Sequence, residues 1–433
     1  MYGGGGAGEN ELLWSRRAAE EAEAVAAISC SGHGRAYVDG VLENGKPVCE
    51  CNKCYKGPDC SQFRPDCVAD ADSDDPVFLE PYWMKHRAGS AVVVSGWHRM
   101  GSSFGHKSDI SPRLRKQIQI LHKVMGNAIP DPGFIVFGAG STQLRTAAVY
   151  ALTPFNSTSR TKVVASVPFD LEYELQTNLF RSADFEFAGD ASTWINTSNT
   201  ALNFIEFVAS PNSIDGHLNK AVLNGSSVKT IYDHSYYWPH FTPITFPADE
   251  DVMIFSLSTL TGHAGSKFGW ALIKDEQVYE KMHSFLGLNT GGVSEDAQLR
   301  AFKLLQVVLD GNGKEFHEFG YETMRKHWEQ LSITLSVSNR FSLQRTSLQY
   351  CTFHQKAREA SPAYAWVKCE RKEDEDCYEV LKANGIGGRA GTKFLADKRH
   401  VRLSLINRQD DFDILIQKLE SLVSQENGMA TAI

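Results

Sequence analysis

Residues 256–270 read SLSTLTGHAGSKFGW and lie between two apolar runs, at 252–257 and 268–273. Short apolar runs bounded by glycine and hydroxyl residues are typical of buried strands in an α/β sheet, so we expect this segment to join two such strands. Ser256, Ser258 and the backbone N–H groups of such a loop suit an anion, and Lys267 adds a positive charge. A glycine-rich connection without a ligand is the alternative interpretation.

The length and composition of the whole chain are those of an ordinary globular protein. The chain has 433 residues, of which 42% are hydrophobic and 22% charged, and this length predicts two or three domains. The net charge of −8 and the lack of a block rich in lysine and arginine argue against a nucleic-acid partner. No apolar run reaches the roughly 18 residues that a membrane span needs, and the first residues lack the apolar core of a secretory signal.

Cysteine usage points to an oxidising compartment. Six of the nine cysteines crowd a short glycine-rich stretch: Cys30, Cys49, Cys51, Cys54, Cys60 and Cys67. This density favours a disulfide-stapled module over a zinc knot, since a zinc site would need a second ligand pair at matching spacing. Sequons at Asn156, Asn196 and Asn224 permit glycosylation. We therefore expect a protein of the secretory pathway, vacuole or cell exterior, whose signal peptide was removed or is not part of this sequence.

The remaining pattern alternates between strands and helices. Apolar periodicity predicts helices at 11–27 and 112–125 and strands at 91–94, 134–137, 163–166, 204–209, 228–232, 252–257 and 268–273. Such alternation favours a mostly parallel sheet with helices on both faces. From about residue 275 the pattern is helical, and a smaller α+β unit follows, with strands at 364–367 and 401–405 and a closing helix at 409–423. Cys369 and Cys377 bracket an acidic run that a disulfide could close.

Polar residues at strand ends are the candidate ligand contacts. Ser141 and Thr142 follow a strand and Gly140 at a helix start, where they could hold a phosphate or simply cap the helix. Asp233 ends another strand, where α/β sheets bind ligands, and Tyr236 follows it. Arg402 lies within an apolar strand and needs an anionic partner, which is either a structural or a substrate carboxylate. We predict no metal site, because the histidines are scattered.

Several segments together resemble the alliinase family, the plant cysteine sulfoxide lyases, and the related plant tryptophan aminotransferases. The catalytic body is matched by VSGWHRM, VFGAGSTQL, IYDHSYYWPH, TGHAGSKFGWALIKD, YAWVKCE, DEDCYEV and VRLSLI. The EGF-like module is matched by CSGHGRAYVDG and CECNKCYKGPDC. The resemblance runs from about residue 18 to residue 423, and its motifs are highly specific.

This resemblance implies a homodimeric pyridoxal-phosphate enzyme of fold type I whose small-molecule substrate is an amino acid. It implies an N-terminal segment and helix (1–29), an EGF-like module (30–67), a large α/β cofactor domain (68–310) and a small C-terminal α+β domain (311–433). It also implies four disulfides: Cys30–Cys49, Cys51–Cys60, Cys54–Cys67 and Cys369–Cys377.

The resemblance further assigns roles to individual residues. Asp233 would contact the pyridine nitrogen and Tyr236 the ring hydroxyl. Phosphate contacts would come from Gly140, Ser141 and Thr142, and Ser256, Ser258 and Lys267 are further cofactor-binding candidates. Ser95 and Gly96 match the substrate-side turn, and Arg402 would bind the substrate carboxylate.

Four positions depart from the family pattern. Thr259 stands where the family has its Schiff-base lysine, and a hydroxyl cannot form an imine. Lys267 replaces an arginine that binds phosphate, Ser213 replaces an asparagine that contacts the ring hydroxyl, and Phe169-Asp170 replaces an aromatic pair. Lys267 is the candidate substitute for the missing amine, although its family counterpart points at the phosphate.

Three functions are compatible with these residues. The first is a carbon–sulfur lyase scaffold, for β-elimination from S-substituted cysteine sulfoxides, in which lysine-dependent catalysis is lost or severely impaired. The second is a non-catalytic or cofactor-independent family member, and the third is an aminotransferase for an aromatic amino acid. An interaction protein acting through the EGF-like module is disfavoured, because that module is a small fraction of the chain.

Overall fold

The structure is a computed structural model that describes residues 12–105, 108–131, 133–155, 157, 159–196 and 202–430. Within these residues, no helix combines the length and the apolar character that crossing a membrane requires. The sequon at Asn156 lies outside the described residues, whereas Asn196 and Asn224 are exposed.

A helix and a disulfide-rich module form the N-terminal part. Helix α1 (Leu12–Ala26) precedes six cysteines that form the pairs Cys30–Cys49, Cys51–Cys60 and Cys54–Cys67. The strands are two residues long: β1 (Gly34–Arg35), β2 (Leu42–Glu43), β3 (Lys46–Pro47), β4 (Glu50–Cys51), β5 (Tyr55–Lys56), β6 (Gln62–Phe63) and β7 (Ala69–Asp70). Strands this short bury little surface, so cross-links supply the stability that burial does not.

A seven-stranded sheet forms the centre of the chain. Its strands are β8 (Phe134–Gly138), β9 (Thr161–Ala165), β10 (Phe185–Asp190), β11 (Phe204–Ala209), β12 (Val228–Asp233), β13 (Val252–Ser256) and β14 (Gly269–Ile273). Their order is β10-β9-β11-β12-β13-β14-β8, in which β14 is antiparallel to both neighbours and the other pairs are parallel. The sheet is therefore mostly parallel, as the sequence predicted.

Helices cover both faces of this sheet. They are α2 (Glu80–Lys85), α3 (Arg87–Ser90), α4 (Pro112–Met125), α5 (Ser141–Leu152), α6 (Glu172–Leu179), α7 (Leu257–Thr261), α8 (Glu276–Thr290) and α9 (Glu295–Val308). Strand β13 shows the two-sided burial directly. Met253 and Phe255 join one hydrophobic core, and Val252 and Ile254 join the other. A strand buried on both faces is apolar throughout, which explains the continuous run in the sequence.

The C-terminal part combines a long helix with an antiparallel sheet. Helix α10 (Lys314–Ser336) is followed by β15 (Phe341–Leu343), β16 (Leu348–Cys351), β17 (Lys356–Glu359), β18 (Tyr364–Cys369), α11 (Cys377–Ala383), β19 (Ile386–Gly387), β20 (Arg389–Ala390), β21 (His400–Ser404) and α12 (Gln409–Ala430). The sheet order is β15-β18-β21-β20, and β19 pairs with β7 of the N-terminal part. A fourth disulfide joins Cys369 to Cys377, and Cys351 is a buried free thiol.

The structure corrects two expectations about secondary structure and adds elements that the sequence did not predict. Residues 91–94 form no strand; Val93 and Val94 are each 45% exposed, so the apolar run reflects an exposed segment. Residues 256–270 include the short helix α7 in addition to loop. Strand β10 and helix α6 were not predicted, because they carry weak apolar periodicity.

Candidate ligand-binding cleft

A cavity of about 250 Å³ lies at the carboxyl ends of the parallel strands, beside β21 of the C-terminal sheet. Ligands of open α/β sheets bind at this edge, where strand ends and helix starts meet. Ten of the sequence-predicted residues line this single cavity: Gly140, Ser141, Thr142, Asp233, Tyr236, Ser256, Ser258, Thr259, Lys267 and Arg402. Ser95 and Gly96 are not among its lining residues. The fold thus gathers positions that are far apart in the sequence.

One end of the cavity is suited to an anion. Helix α5 begins at Ser141, and no side chain caps its N-terminus, because the N-cap residue is Gly140 with a φ of 84°. That φ favours glycine and turns the chain into the helix with its first N–H groups open to the cavity. Gly269 allows this end to approach β14, since an added Cβ would lie 3.1 Å from the Gly140 carbonyl carbon and 3.2 Å from the Ser141 backbone nitrogen.

The segment at 256–270 forms the opposite wall of the anion-binding end of the cavity. Ser256 ends β13 and caps α7, and its hydroxyl lies 2.7 Å from that of Ser258. Helix α7 closes at Gly262, where an added Cβ would be 2.7 Å from the Pro76 carbonyl oxygen. Lys267 follows with a φ of 43° and an exposed side chain. Two hydroxyls, one ammonium and one helix N-terminus therefore surround the same volume.

Thr259 lies on α7 with its side chain facing the cleft. The residue is 6% exposed, and its hydroxyl donates to the backbone carbonyl of Ser235 and contacts that of Ser256 at 3.2 Å. These bonds satisfy the hydroxyl within the protein. The position therefore offers a ligand neither an amine nor a free nucleophile.

Asp233 at the end of β12 has protein donors at both of its carboxylate oxygens. Its Oδ1 accepts from the Ser235 backbone N–H at 3.0 Å and from the Ser235 hydroxyl at 2.5 Å. Its Oδ2 accepts from Arg145 Nη1 at 3.2 Å and from the Tyr173 hydroxyl at 3.4 Å. A further donor at Asp233 would have to compete with Ser235 at Oδ1 and with the charged Arg145 at Oδ2.

Arg145 is the cation that holds this buried network. Its side chain is 7% exposed and also contacts Glu172 Oε2 at 2.7 Å. Burial alone would lower the pKa of Arg145, but Asp233 and the neighbouring acids outweigh it and raise the pKa. Burial and the charge of Asp233 together raise the pKa of Tyr173 well above its usual value. Arg145 stays protonated and Tyr173 stays a neutral donor at any physiological pH.

The two predicted contacts on the far wall are also paired internally. The Tyr236 hydroxyl lies 2.8 Å from the Tyr364 hydroxyl, and burial raises the pKa of both phenols. Arg402 pairs with Asp74, and its guanidinium carbon lies 3.8 Å from the centre of the Tyr364 ring. Of the two partners that the sequence left open for Arg402, the structure supplies the structural carboxylate.

Sequence reasoning missed four residues of this cleft, namely Asp74, Arg145, Glu172 and Tyr173. Arg145 had a detectable signal, because an arginine among Leu144, Ala147 and Ala148 on a predicted helix requires a buried anionic partner. Asp74 and Glu172 lie in polar segments, where an acidic residue is unremarkable.

The fold is that of the fold type I aminotransferases. An aminotransferase from Staphylococcus aureus superposes with a TM-score of 0.59 at 16% identity, covering 83% of this chain and 93% of that one. A methionine aminotransferase from Escherichia coli gives a TM-score of 0.58 at 14% identity, covering 82% and 94%. Identities this low support the shared fold alone.

Sequence comparison identifies the family within that class. Residues 69–423 match the family described as allinase, and residues 13–67 match the alliinase EGF-like domain. Tryptophan aminotransferase-related protein 3 of Arabidopsis thaliana is 53% identical, covering 97% of this chain and 93% of its own length. An alliin lyase of Allium cepa var. aggregatum is 46% identical, covering 95% and 94%. This chain belongs to the alliinase family.

Alliinases and aminotransferases of this fold depend on pyridoxal phosphate, so the cleft can be tested for its fit to that cofactor. The end formed by α5, Ser256, Ser258 and Lys267 fits a phosphate. The remainder does not fit a lysine-linked cofactor with a protonated ring. Thr259 cannot form the imine, and a pyridinium N–H would have to compete with Arg145 and Ser235 for Asp233. Arg145 beside Asp233 would also disfavour a positive charge on the ring.

Proposed function

We propose that this protein is a binding member of the alliinase family that takes a small phosphorylated ligand in its cleft and does not perform lysine-dependent pyridoxal-phosphate chemistry. The observation that carries the proposal is the pairing of Asp233 with the buried cation Arg145 and with Ser235. A lost lysine alone could leave an otherwise intact cofactor site. The buried cation Arg145, paired with the residue that the resemblance assigns to the ring nitrogen, also changes which ligands the site can bind.

The phosphate end supports retained binding. Open helix N–H groups and Lys267 favour a dianion, and loss of the arginine fork that the family resemblance implies would weaken but not remove that attraction. The proposal therefore predicts competition between pyridoxal phosphate and simple phosphate esters. It predicts no β-elimination from a cysteine sulfoxide and no transfer of an amino group.

Equilibrium titration tests this proposal. Pyridoxal phosphate is added to the purified protein while its absorbance is recorded, and the titration is repeated with pyridoxal, which lacks the phosphate. We expect pyridoxal phosphate to bind saturably and pyridoxal not to bind. We also expect no imine absorbance near the edge of the visible range. Substitution Lys267→Met should weaken this binding about tenfold through loss of one charge-assisted contact. Equal binding of both compounds by the unsubstituted protein would contradict the proposal.

We further propose that the protein is a homodimer of the secretory pathway. The disulfides of the EGF-like module fit an oxidising compartment. Around Ser95 and Gly96, the exposed apolar side chains of Trp97 and Met100, at 75% and 84% exposure, suit burial against a second copy. Light scattering after gel filtration should give twice the chain mass, and Trp97→Ser should shift the equilibrium toward monomer.

A further inference from the structure

Asp74 and Arg402 form an ion pair at the wall of the cleft. Arg402 lies on β21 and its side chain is 3% exposed, whereas the side chain of Asp74 is 50% exposed. The two residues are 328 positions apart, so the contact is built by the fold and not by local geometry. A buried guanidinium is thus covered by a carboxylate that solvent and ligands can reach.

Asp74 is held by donors on both of its oxygens. Its Oδ1 accepts from Arg402 and from the Tyr364 hydroxyl, which lies 3.1 Å away, and its Oδ2 is 2.8 Å from Arg389 Nη2. Burial alone would raise the pKa of Asp74, but Arg402 and Arg389 outweigh it and lower the pKa. The carboxylate is therefore ionised at every pH at which the protein would be studied.

The segment that carries Asp74, residues 69–75, is itself fixed to the C-terminal part. Strand β7 at its start pairs with β19, and the Ser404 backbone N–H donates to the Ala71 carbonyl at 2.8 Å. Arg389 Nε contacts Asp72 Oδ1 at 2.5 Å. These contacts begin directly after Cys67, so the linker from the EGF-like module positions Asp74 against Arg402.

Arg402 has no free pair of adjacent N–H donors for a second carboxylate. Its Nη2 is taken by Asp74, its Nη1 lies 3.4 Å from the Ser213 carbonyl oxygen, and its planar surface is covered by the Tyr364 ring. Bidentate recognition of a carboxylate needs two adjacent guanidinium donors at once. A carboxylate ligand must therefore displace Asp74 before it can pair with Arg402.

We propose that Asp74 is an internal carboxylate that occupies Arg402 and makes the cleft select against ligands bearing a carboxylate. The inference rests on the proposed function for the place where the ligand binds, and it narrows the ligand to a phosphorylated compound without a carboxylate, such as a phosphorylated amine. A free α-amino acid is then a poor ligand, because its carboxylate meets Asp74 in place of an open arginine.

A matched pair of ligands tests this selection by isothermal titration calorimetry. Phosphoethanolamine and O-phosphoserine both carry a phosphate and an amine, and they differ by one carboxylate. We expect the unsubstituted protein to bind phosphoethanolamine about tenfold or more tightly than phosphoserine, and Asp74→Ala to abolish that preference. Asp75→Ala is the control: Asp75 lines the same cavity and makes no ion pair within the described residues, so the preference should persist.

The outcomes separate this inference from the proposed function. Equal binding of the two ligands by the unsubstituted protein, or an unchanged preference in folded Asp74→Ala, would overturn the role of Asp74. If neither phosphorylated ligand binds, the proposed function fails. The role of Asp74 is then tested by comparing the binding of L-methionine with that of its amide, which lacks the carboxylate. Asp74→Ala should then gain binding of L-methionine alone, and Arg402→Gln in the same background should remove it. Absence of that gain would overturn the inference as well.

Discussion

Arg145 on α5 and Asp233 at the end of β12 form a buried ion pair, with Nη1 3.2 Å from Oδ2 and both side chains at most 8% exposed. The family resemblance assigns Asp233 to the pyridine nitrogen of the cofactor. In this structure Arg145 neutralises the Asp233 carboxylate instead. The loss of an amine at position 259 and the presence of a cation at position 145 therefore act in the same direction. Both remove the conditions for electron withdrawal by a cofactor ring.

Substitution Arg145→Met should destabilise the fold by about 3–5 kcal/mol, because it leaves Asp233 buried without its counter-ion. Denaturant unfolding measures this change. The double substitution Arg145→Met with Asp233→Asn should recover part of the loss, since a neutral amide tolerates burial better than an unpaired carboxylate. Additive losses in the double variant would show that the two side chains are not coupled.

Substitution Thr259→Lys should restore an amine without restoring function. We expect imine absorbance with pyridoxal phosphate, because the phosphate end of the cleft is retained, but no detectable turnover of a cysteine sulfoxide. Adding Arg145→Met, which frees one oxygen of Asp233, together with Asp74→Ala, which frees Arg402 for the substrate carboxylate, should raise lyase turnover above the detection limit. Full turnover in Thr259→Lys by itself would argue against any role for Arg145.

Much of the fold, and less of the site, could be predicted from the sequence. Strand β11 has the predicted bounds, because all but its last residue are buried and its sequence is apolar apart from Glu206. Strand β10 lies at the sheet edge with mostly half-buried residues, so it carries no comparable pattern. The pairs Arg145–Asp233 and Asp74–Arg402 join segments that only the folded chain brings together. The domain boundaries remain predictions.

Buried His122 should make stability depend on pH. Its Nε2 accepts from Trp270 Nε1 at 2.8 Å and its Nδ1 lies 2.9 Å from Asn127 Oδ1, which requires the neutral ring protonated at Nδ1. Burial lowers its pKa from 6.5 to about 4. Because the folded-state pKa is lowered, the contribution to stability is complete above pH 6.5 and is lost as the pH falls toward 4.

The measurement is the free energy of unfolding at pH 7, 6 and 5. One such histidine contributes a slope of at most about 1.4 kcal/mol per pH unit. The variant His122→Gln should be less stable at pH 7 and should lose stability less steeply toward pH 5. Parallel pH profiles for the two proteins would show that His122 is not responsible.

The disulfide between Cys369 and Cys377 should stabilise the C-terminal sheet. It closes a loop with a sequence separation of 8, and Arg340 Nε also fixes that loop by contacting Asp374 at 2.6 Å. Replacing both cysteines by alanine should cost about 2–3 kcal/mol by relaxing the unfolded-state constraint. Thermal unfolding checks this, and an unchanged midpoint would mean that the Arg340 contact alone fixes the loop.

Borohydride reduction in the presence of pyridoxal phosphate, followed by peptide mass spectrometry, tests the central claim most directly. Reduction makes any imine between the cofactor and a lysine permanent, so the labelled position can be read from the peptides. The Arg145–Asp233 pair and the hydroxyl at Thr259 predict no stoichiometric label within the cleft of the unsubstituted protein, while Thr259→Lys is labelled at position 259. A stoichiometric label on Lys267, accompanied by turnover of a cysteine sulfoxide, would contradict this account.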